Sequence, residues 1–224
     1  MNHDFLLGPL DTDSISICKS DMSPFILEEE NNLIKELNSL FPEKINWTHD
    51  GLFSCVVVLR TKNYVLWDEK SLKIKGSALK SAKLEKALKQ FQTDIIWEII
   101  NNTCKYQEVY NKYAKEAMDI KDISRWASKK SISEKVLSSE RTNESKIRDA
   151  IENTEYSEGD KIHVFFLEDK SLQLVEKFDG NYDKMKMLKR LHDTSSIFEN
   201  VLNCKELFPN YSLKKNKKLL ENVK

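Results

Sequence analysis

"GPLDTDSISI", residues 8–17, sets two carboxylates, Asp11 and Asp13, one residue apart between two short apolar stretches. On the C-terminal side Ile15 and Ile17 alternate with Ser14 and Ser16, the period-two pattern of a half-buried strand. On the N-terminal side "DFLLGPL" is apolar as well, but Pro9 lacks the N–H that a ladder uses, which predicts an edge strand or an interrupted one. The stretch therefore predicts a hairpin with both acids at its tip. Side chains at i and i+2 of an extended segment share a face, so the two carboxylates repel unless a cation relieves them. A hard divalent ion such as Mg²⁺ does so with few carboxylates, completing its shell with water and phosphate oxygens. The Asp-x-Asp pair alone leaves several chemistries open, among them two-metal phosphoryl transfer, transfer from a nucleotide sugar, and a calcium loop.

Outward from the acids, Ser23-Pro24 predicts a helix start, an N-cap followed by Pro at the first helical position. Ile26, Leu33, Ile34, Leu37 and Leu40 continue at helical spacing and Pro42 ends the pattern, so an amphipathic helix should pack on a sheet. "LFSCVVVLR" (52–60) is a near-continuous β-branched run and predicts a buried strand. "TKN" then turns the chain, "YVLWD" (64–68) is the hairpin partner, and "LKIKG" (72–76) alternates inward Leu72 and Ile74 with outward Lys73 and Lys75. With residues 14–18 these strands predict one small antiparallel sheet carrying the helix. Composition shifts at "SALKSA" (77–82), and the period changes beyond it. Leu84, Leu88, Phe91, Ile95 and Ile99 predict a long helix over 81–101, with further helices over 105–119 and 183–203. "DKIHVFFLE" and "SLQLVEKF" predict one hairpin joined at Asp169-Lys170. The expected class is α+β: residues 1–80 form a small antiparallel sheet with a packed helix, and residues 81–224 a mainly helical domain with one β-hairpin.

Composition narrows the function. The 224 residues are 40% hydrophobic and 32% charged, enough for a core. No apolar run approaches the roughly 18 residues a membrane span needs, and the early "FLL" patch is too short for a secretory segment, so a cytoplasmic protein is expected. Cys18, Cys55, Cys104 and Cys204 lie far apart without a CxxC and predict reduced, mostly buried thiols rather than a zinc site. A net charge of zero hides an uneven distribution: residues 21–50 carry −5 and residues 60–90 carry +6. The basic stretch is either a solvated face or what a polyanion would meet. The tail from residue 210 is also basic, through Lys214, Lys215, Lys217 and Lys218. Glycine-rich phosphate loops of the GxGxxG and GxxxxGK[ST] types are absent.

The string "DTDSISI" resembles the motif C hairpin of family B DNA polymerases, in which Tyr-Gly-Asp-Thr-Asp-Ser leads into a strand. Further on, "TKNYVL" (61–66) resembles the family's Lys-x-Tyr strand, and "KIKGSALKS" (73–81) the Lys-Gly segment that closes the palm and enters the thumb. "KKSISEKVL" (129–137) and "SEGDKIHVFF" (157–166) resemble thumb motifs in the same order, so the resemblance spans residues 10–224. It implies that residues 1–80 are the C-terminal part of a palm and residues 81–224 a thumb. By this resemblance Asp13 is the catalytic metal ligand and Asp11 its supporting carboxylate, in a two-metal Mg²⁺ site. There a primer 3′-hydroxyl attacks the α-phosphate of a deoxynucleoside triphosphate. Lys62 and Tyr64 would lie along the primer–template minor groove, and Lys75, Gly76 and Lys80 against the DNA backbone.

The departures from the family are as informative. Pro9-Leu10 stands where the family has Tyr-Gly. The motif A acid, the fingers helix that binds the triphosphate and the exonuclease domain have no counterpart; Asp68-Glu69 and Glu28–Glu30 read as solvated charge. The implied partners are therefore primer–template DNA, the triphosphate, and a separate upstream polypeptide carrying exonuclease, motif A and fingers. The chain would be inactive alone, in the manner of a split or interrupted, virus- or phage-like polymerase. The alternatives are a stand-alone DNA-binding thumb module and an inactive polymerase remnant. A glycosyltransferase would need a nucleotide-binding αβα domain ahead of its acids.

Overall fold

The structure, a computed structural model, describes residues 5–81, 83–138, 141–213 and 218, apart from the side chains of Ala78, Lys80 and Thr142. It is α+β, with helices and three small antiparallel sheets, and the chain divides between Gly76 and Ser77 into two compact units.

In the first unit β1 (Phe5–Leu10) and β2 (Ile15–Lys19) form the hairpin. Its register runs from Leu7↔Ile17 to Leu10↔Ile15, leaving Gly8 and Pro9 together opposite Ser16. Proline thus falls at the irregularity, where its missing N–H costs no ladder bond. α1 spans Leu27–Ser39 and begins later than Ser23-Pro24 predicts. The Ser23 N–H and hydroxyl both donate to the Asp21 carboxylate, at 2.9 and 2.7 Å, so this serine closes a turn instead of capping a helix. The helix starts where Glu29 accepts the Ile26 N–H at 2.9 Å, and Glu28, Glu29 and Glu30 then sit in the first turn, favourable to the helix dipole. No α1 residue is buried. Its visible ties to the hairpin are a Lys19 Nζ–Glu29 Oε2 bridge of 2.6 Å and the Phe5–Phe25 ring pair at 5.7 Å.

β3 (Cys55–Arg60), β4 (Asn63–Trp67) and β5 (Leu72–Lys75) pair antiparallel in that order. Two expectations are corrected here. The β1–β2 hairpin is a sheet of its own and does not extend the three-stranded one. β3 is also not buried on both sides: Val57 and Leu59 are buried while Val56 and Val58 are exposed, because β3 is an edge strand with one covered face. Only the central strand β4 buries successive residues, Tyr64, Val65 and Leu66.

The second unit begins with the short α2 (Ser77–Lys80). α3 (Lys86–Ile100), α4 (Tyr106–Met118) and α7 (Lys184–Val201) pack together around Phe91. Phe91 is fully buried and meets Tyr113, Phe198 and Phe208 edge to face at 5.5, 6.3 and 6.4 Å. Leu88, Phe91 and Ile95 lie on the buried stripe that the helical spacing predicts. α5 (Glu134–Ser138) and α6 (Thr142–Ile151) cover a sheet of β6 (Ser128–Ser131), β7 (Lys161–Phe166) and β8 (Leu172–Leu174). The predicted β7–β8 hairpin is present. The sheet nevertheless has a third strand, β6, whose "SKKS" has no apolar alternation to announce it. No helix among the described residues is long and apolar enough to cross a membrane. The cysteines are free but not mostly buried: Cys18 and Cys55 are half-buried, Cys104 and Cys204 exposed.

Truncating Phe91 to Ala should lower stability by about 3–5 kcal/mol, the cost typical of a large aromatic core cavity. Val58→Ala on the exposed face should change it by no more than about 0.5 kcal/mol. Urea unfolding followed by circular dichroism reads both.

Candidate metal and nucleic-acid site

The acids sit in the four-residue loop between β1 and β2. The Asp11 N–H donates to the Ser14 carbonyl at 2.9 Å, closing the hairpin, and Asp11 Oδ1 accepts the Thr12 N–H at 2.8 Å. Asp13 is exposed. The shared-face argument assumes extended backbone. Both acids lie beyond the strand ends, so that argument does not apply to them, and the loop's hydrogen bonds orient Asp11.

A third predicted residue reaches this loop. Lys62 Nζ lies 3.7 Å from Asp11 Oδ1. Lys62 occupies the β3–β4 turn with φ 59°, where the register slips from Val58↔Tyr64 to Arg60↔Asn63. Gly76 fixes that turn from the other side. Its φ is +95°, and a Cβ there would stand 2.2 Å from the Lys62 carbonyl oxygen and 2.4 Å from Asn63 Oδ1. Asn63 is itself buried, and its Nδ2 donates to the Thr61 carbonyl at 2.9 Å. Gly76, the Lys62–Asn63 turn and Asp11 thus form a continuous path from the end of β5 to the acidic loop.

The remaining predicted residues are placed differently. Tyr64 is 5% exposed, within the core of the three-stranded sheet, and is the register partner of the exposed Lys75. The side chain of Lys80 lies outside the described residues, as do Lys214, Lys215 and Lys217 of the basic tail. Lys73 is taken up by Asp50 at 3.0 Å, and its hydrogen bond and charge hold the Asp50 carboxyl below the usual carboxylate range.

Among the described residues no group of three Asp, Glu, His or Cys side chains could hold a metal ion. Asp11 and Asp13 offer hard carboxylate oxygens from an open loop. That donor type suits Mg²⁺ with its other positions filled by water and phosphate oxygens, and it does not suit zinc.

A second polar centre escapes sequence reasoning. Glu85, just before α3, is 2% exposed. Its carboxylate accepts from Ser128 Oγ at 2.5 Å and from Arg190 Nη2 at 2.6 Å. In "KLEKALK" this residue resembles surface charge. The available signal was its position three residues before Leu88, on the buried stripe.

No family model matches the sequence, and no curated protein matches it. The fold does resemble a solved structure, the family B DNA polymerase from the hyperthermophilic archaeon Pyrobaculum calidifontis, at a TM-score of 0.53 and 12% sequence identity. The likeness covers 79% of this chain and 24% of that one, so the chain spans about a quarter of the length of the polymerase it matches. The shared feature is therefore the fold of a segment of a family B DNA polymerase.

Gly76→Ala combines a left-handed backbone with a backbone clash, and should destabilise the first unit by more than about 1 kcal/mol. Lys62→Ala removes an ion pair whose partners are both more than a third exposed, and should cost no more than about 1 kcal/mol. Denaturant titration of the two variants beside the wild type checks the order.

Proposed function

We propose that this chain is the palm-and-thumb portion of a family B DNA-directed DNA polymerase. It would supply one catalytic metal-binding aspartate and a grip on the primer–template duplex, and act with a separate polypeptide that carries the rest of the enzyme. The observation that carries the reading is the hairpin tip: "DTDSISI" folds as a loop of two acids beside Lys62, in a chain whose fold resembles part of such a polymerase. Asp13 and Asp11 would hold Mg²⁺. When bound, the ion would lower the pKa of a primer 3′-hydroxyl and neutralise triphosphate charge. Lys62 orients Asp11 and presents a cation next to the acids. Lys75, with Gly76 and Lys80 following it, would meet backbone phosphates, which an enzyme indifferent to sequence must favour over base edges.

One further observation supports a partner surface on the first unit. Of fourteen exposed large hydrophobic side chains among the described residues, twelve precede Gly76, including Leu6, Leu7 and Leu10 on β1 and Val56 and Val58 on β3. Exposed apolar surface concentrated in this way marks an interaction site, and the edge of β3 adds unpaired backbone groups.

The test is complementation. The chain is mixed with a polypeptide from the same genome bearing exonuclease, motif A and fingers, and given primed template, Mg²⁺ and deoxynucleoside triphosphates. Extension should require both polypeptides. Asp13→Ala should reduce it by more than the roughly 10–100-fold seen when a residue only orients a metal ligand. Extension that survives Asp13→Ala, or two polypeptides that never associate, overturns the reading. Duplex binding by the chain with no extension in the complete mixture would instead identify a DNA-binding module.

A further inference from the structure

The row Ser128, Lys130, Ile132 runs along the inward side of β6 and its continuation, while Lys129 and Ser131 face solvent. Ser128 and Ile132 are buried, so the half-buried Lys130 takes a place that a hydrophobic side chain would ordinarily fill. It forms no ion pair among the described residues. Beside it Arg190 reaches from α7 to the buried Glu85 with Nη2 alone, and the Arg190 Nε–H is buried without an acceptor. Lys130 is held below the usual lysine range first by burial, then by the charge of Arg190. Glu85 opposes the shift and Lys83 adds to it. Ser128 and Arg190 already engage the Glu85 carboxylate, and Lys130 stands two residues along the same inward row from Ser128. Partly desolvated positive charge left over in this way is relieved by an added anion. A guanidinium beside an ammonium suits the two free oxygens of a phosphodiester.

We propose that Lys130 and Arg190, assembled around Glu85, form a binding site for one backbone phosphate of duplex DNA. The proposal rests on the polymerase reading above and assigns to the second unit a specific contact with the duplex. A rival account makes Lys130 an inward-pointing charge that guards β6, the edge of its sheet, against pairing with other chains.

The experiment measures affinity of the full chain for a labelled primer–template duplex across a salt series. For wild type, log K should fall linearly with log salt. Lys130→Met, close in shape, should weaken binding and reduce the slope by about 0.9, the loss of one phosphate contact, with an undiminished melting temperature. Lys130→Arg should retain the slope. Lys44→Met, on an exposed loop of the first unit, should leave affinity and slope unchanged. If Lys130→Met does not melt cooperatively, Lys130→Gln is read in its place. A slope and affinity unaltered by the substitution overturn the phosphate site and leave the polymerase reading standing, and self-association of that variant would then favour the edge guard. A wild-type chain with no salt-dependent duplex binding overturns both.

Discussion

The contact on which the first unit depends is the approach of Gly76 to the Lys62–Asn63 turn. Backbone and a buried asparagine oxygen occupy the space where any Cβ would go, and the glycine adopts a positive φ that other residues rarely hold. The contact fixes the end of β5 against the β3–β4 turn, and the turn in turn presents Lys62. The β1–β2 hairpin contributes no buried residue of its own. Its acidic loop is therefore located by surface links, and Lys62–Asp11 is a link that reaches the three-stranded sheet at the acids.

The two units distribute apolar burial unequally. The second is organised about Phe91 and a separate cluster under β6–β8 that includes Ile132, Ile162 and Val164. In the first, the buried hydrophobic residues among those described are Val57, Leu59, Tyr64, Val65 and Leu66, all on β3 and β4. Free energy from burial scales with apolar area at roughly 25 cal/mol per Å², and units of this size are marginal even when well packed. A unit that leaves leucines and valines on its outer strands gains stability when a partner covers them. Assembly would then rigidify the unit that carries the acids.

What the sequence revealed follows from which signals are local. The Leu88–Phe91–Ile95 stripe and the β7–β8 hairpin are periodic patterns read within one element, and both are present as expected. Ser23-Pro24 misled because Asp21, two residues earlier, captures the serine. β6 was invisible because its inward positions are Ser128 and Lys130, neither apolar. The valine-rich β3 looked doubly buried because β-branched composition reports strand propensity, whereas edge position decides exposure. At the site the acid pair was legible as a string. The Lys62–Asp11 approach was not, since it joins two sheets across 51 positions of sequence. Glu85 was concealed for a similar reason: its partners, Ser128 and Arg190, are 43 and 105 residues away.

The Lys62–Asp11 pair also bears on how an acidic loop can be both placed and available. Two like charges in one short loop disfavour each other, and a neighbouring ammonium reduces that repulsion. At 3.7 Å between groups that are 64% and 37% exposed, however, water screens the attraction, and such pairs are worth between nothing and about 1 kcal/mol. A buried carboxylate is bound far more firmly, as Glu85 is in the second unit by charge-assisted and hydroxyl hydrogen bonds from Arg190 and Ser128. The lysine pair is weak enough that losing it costs little, while the backbone of the Lys62 turn is fixed separately, by its close approach to Gly76.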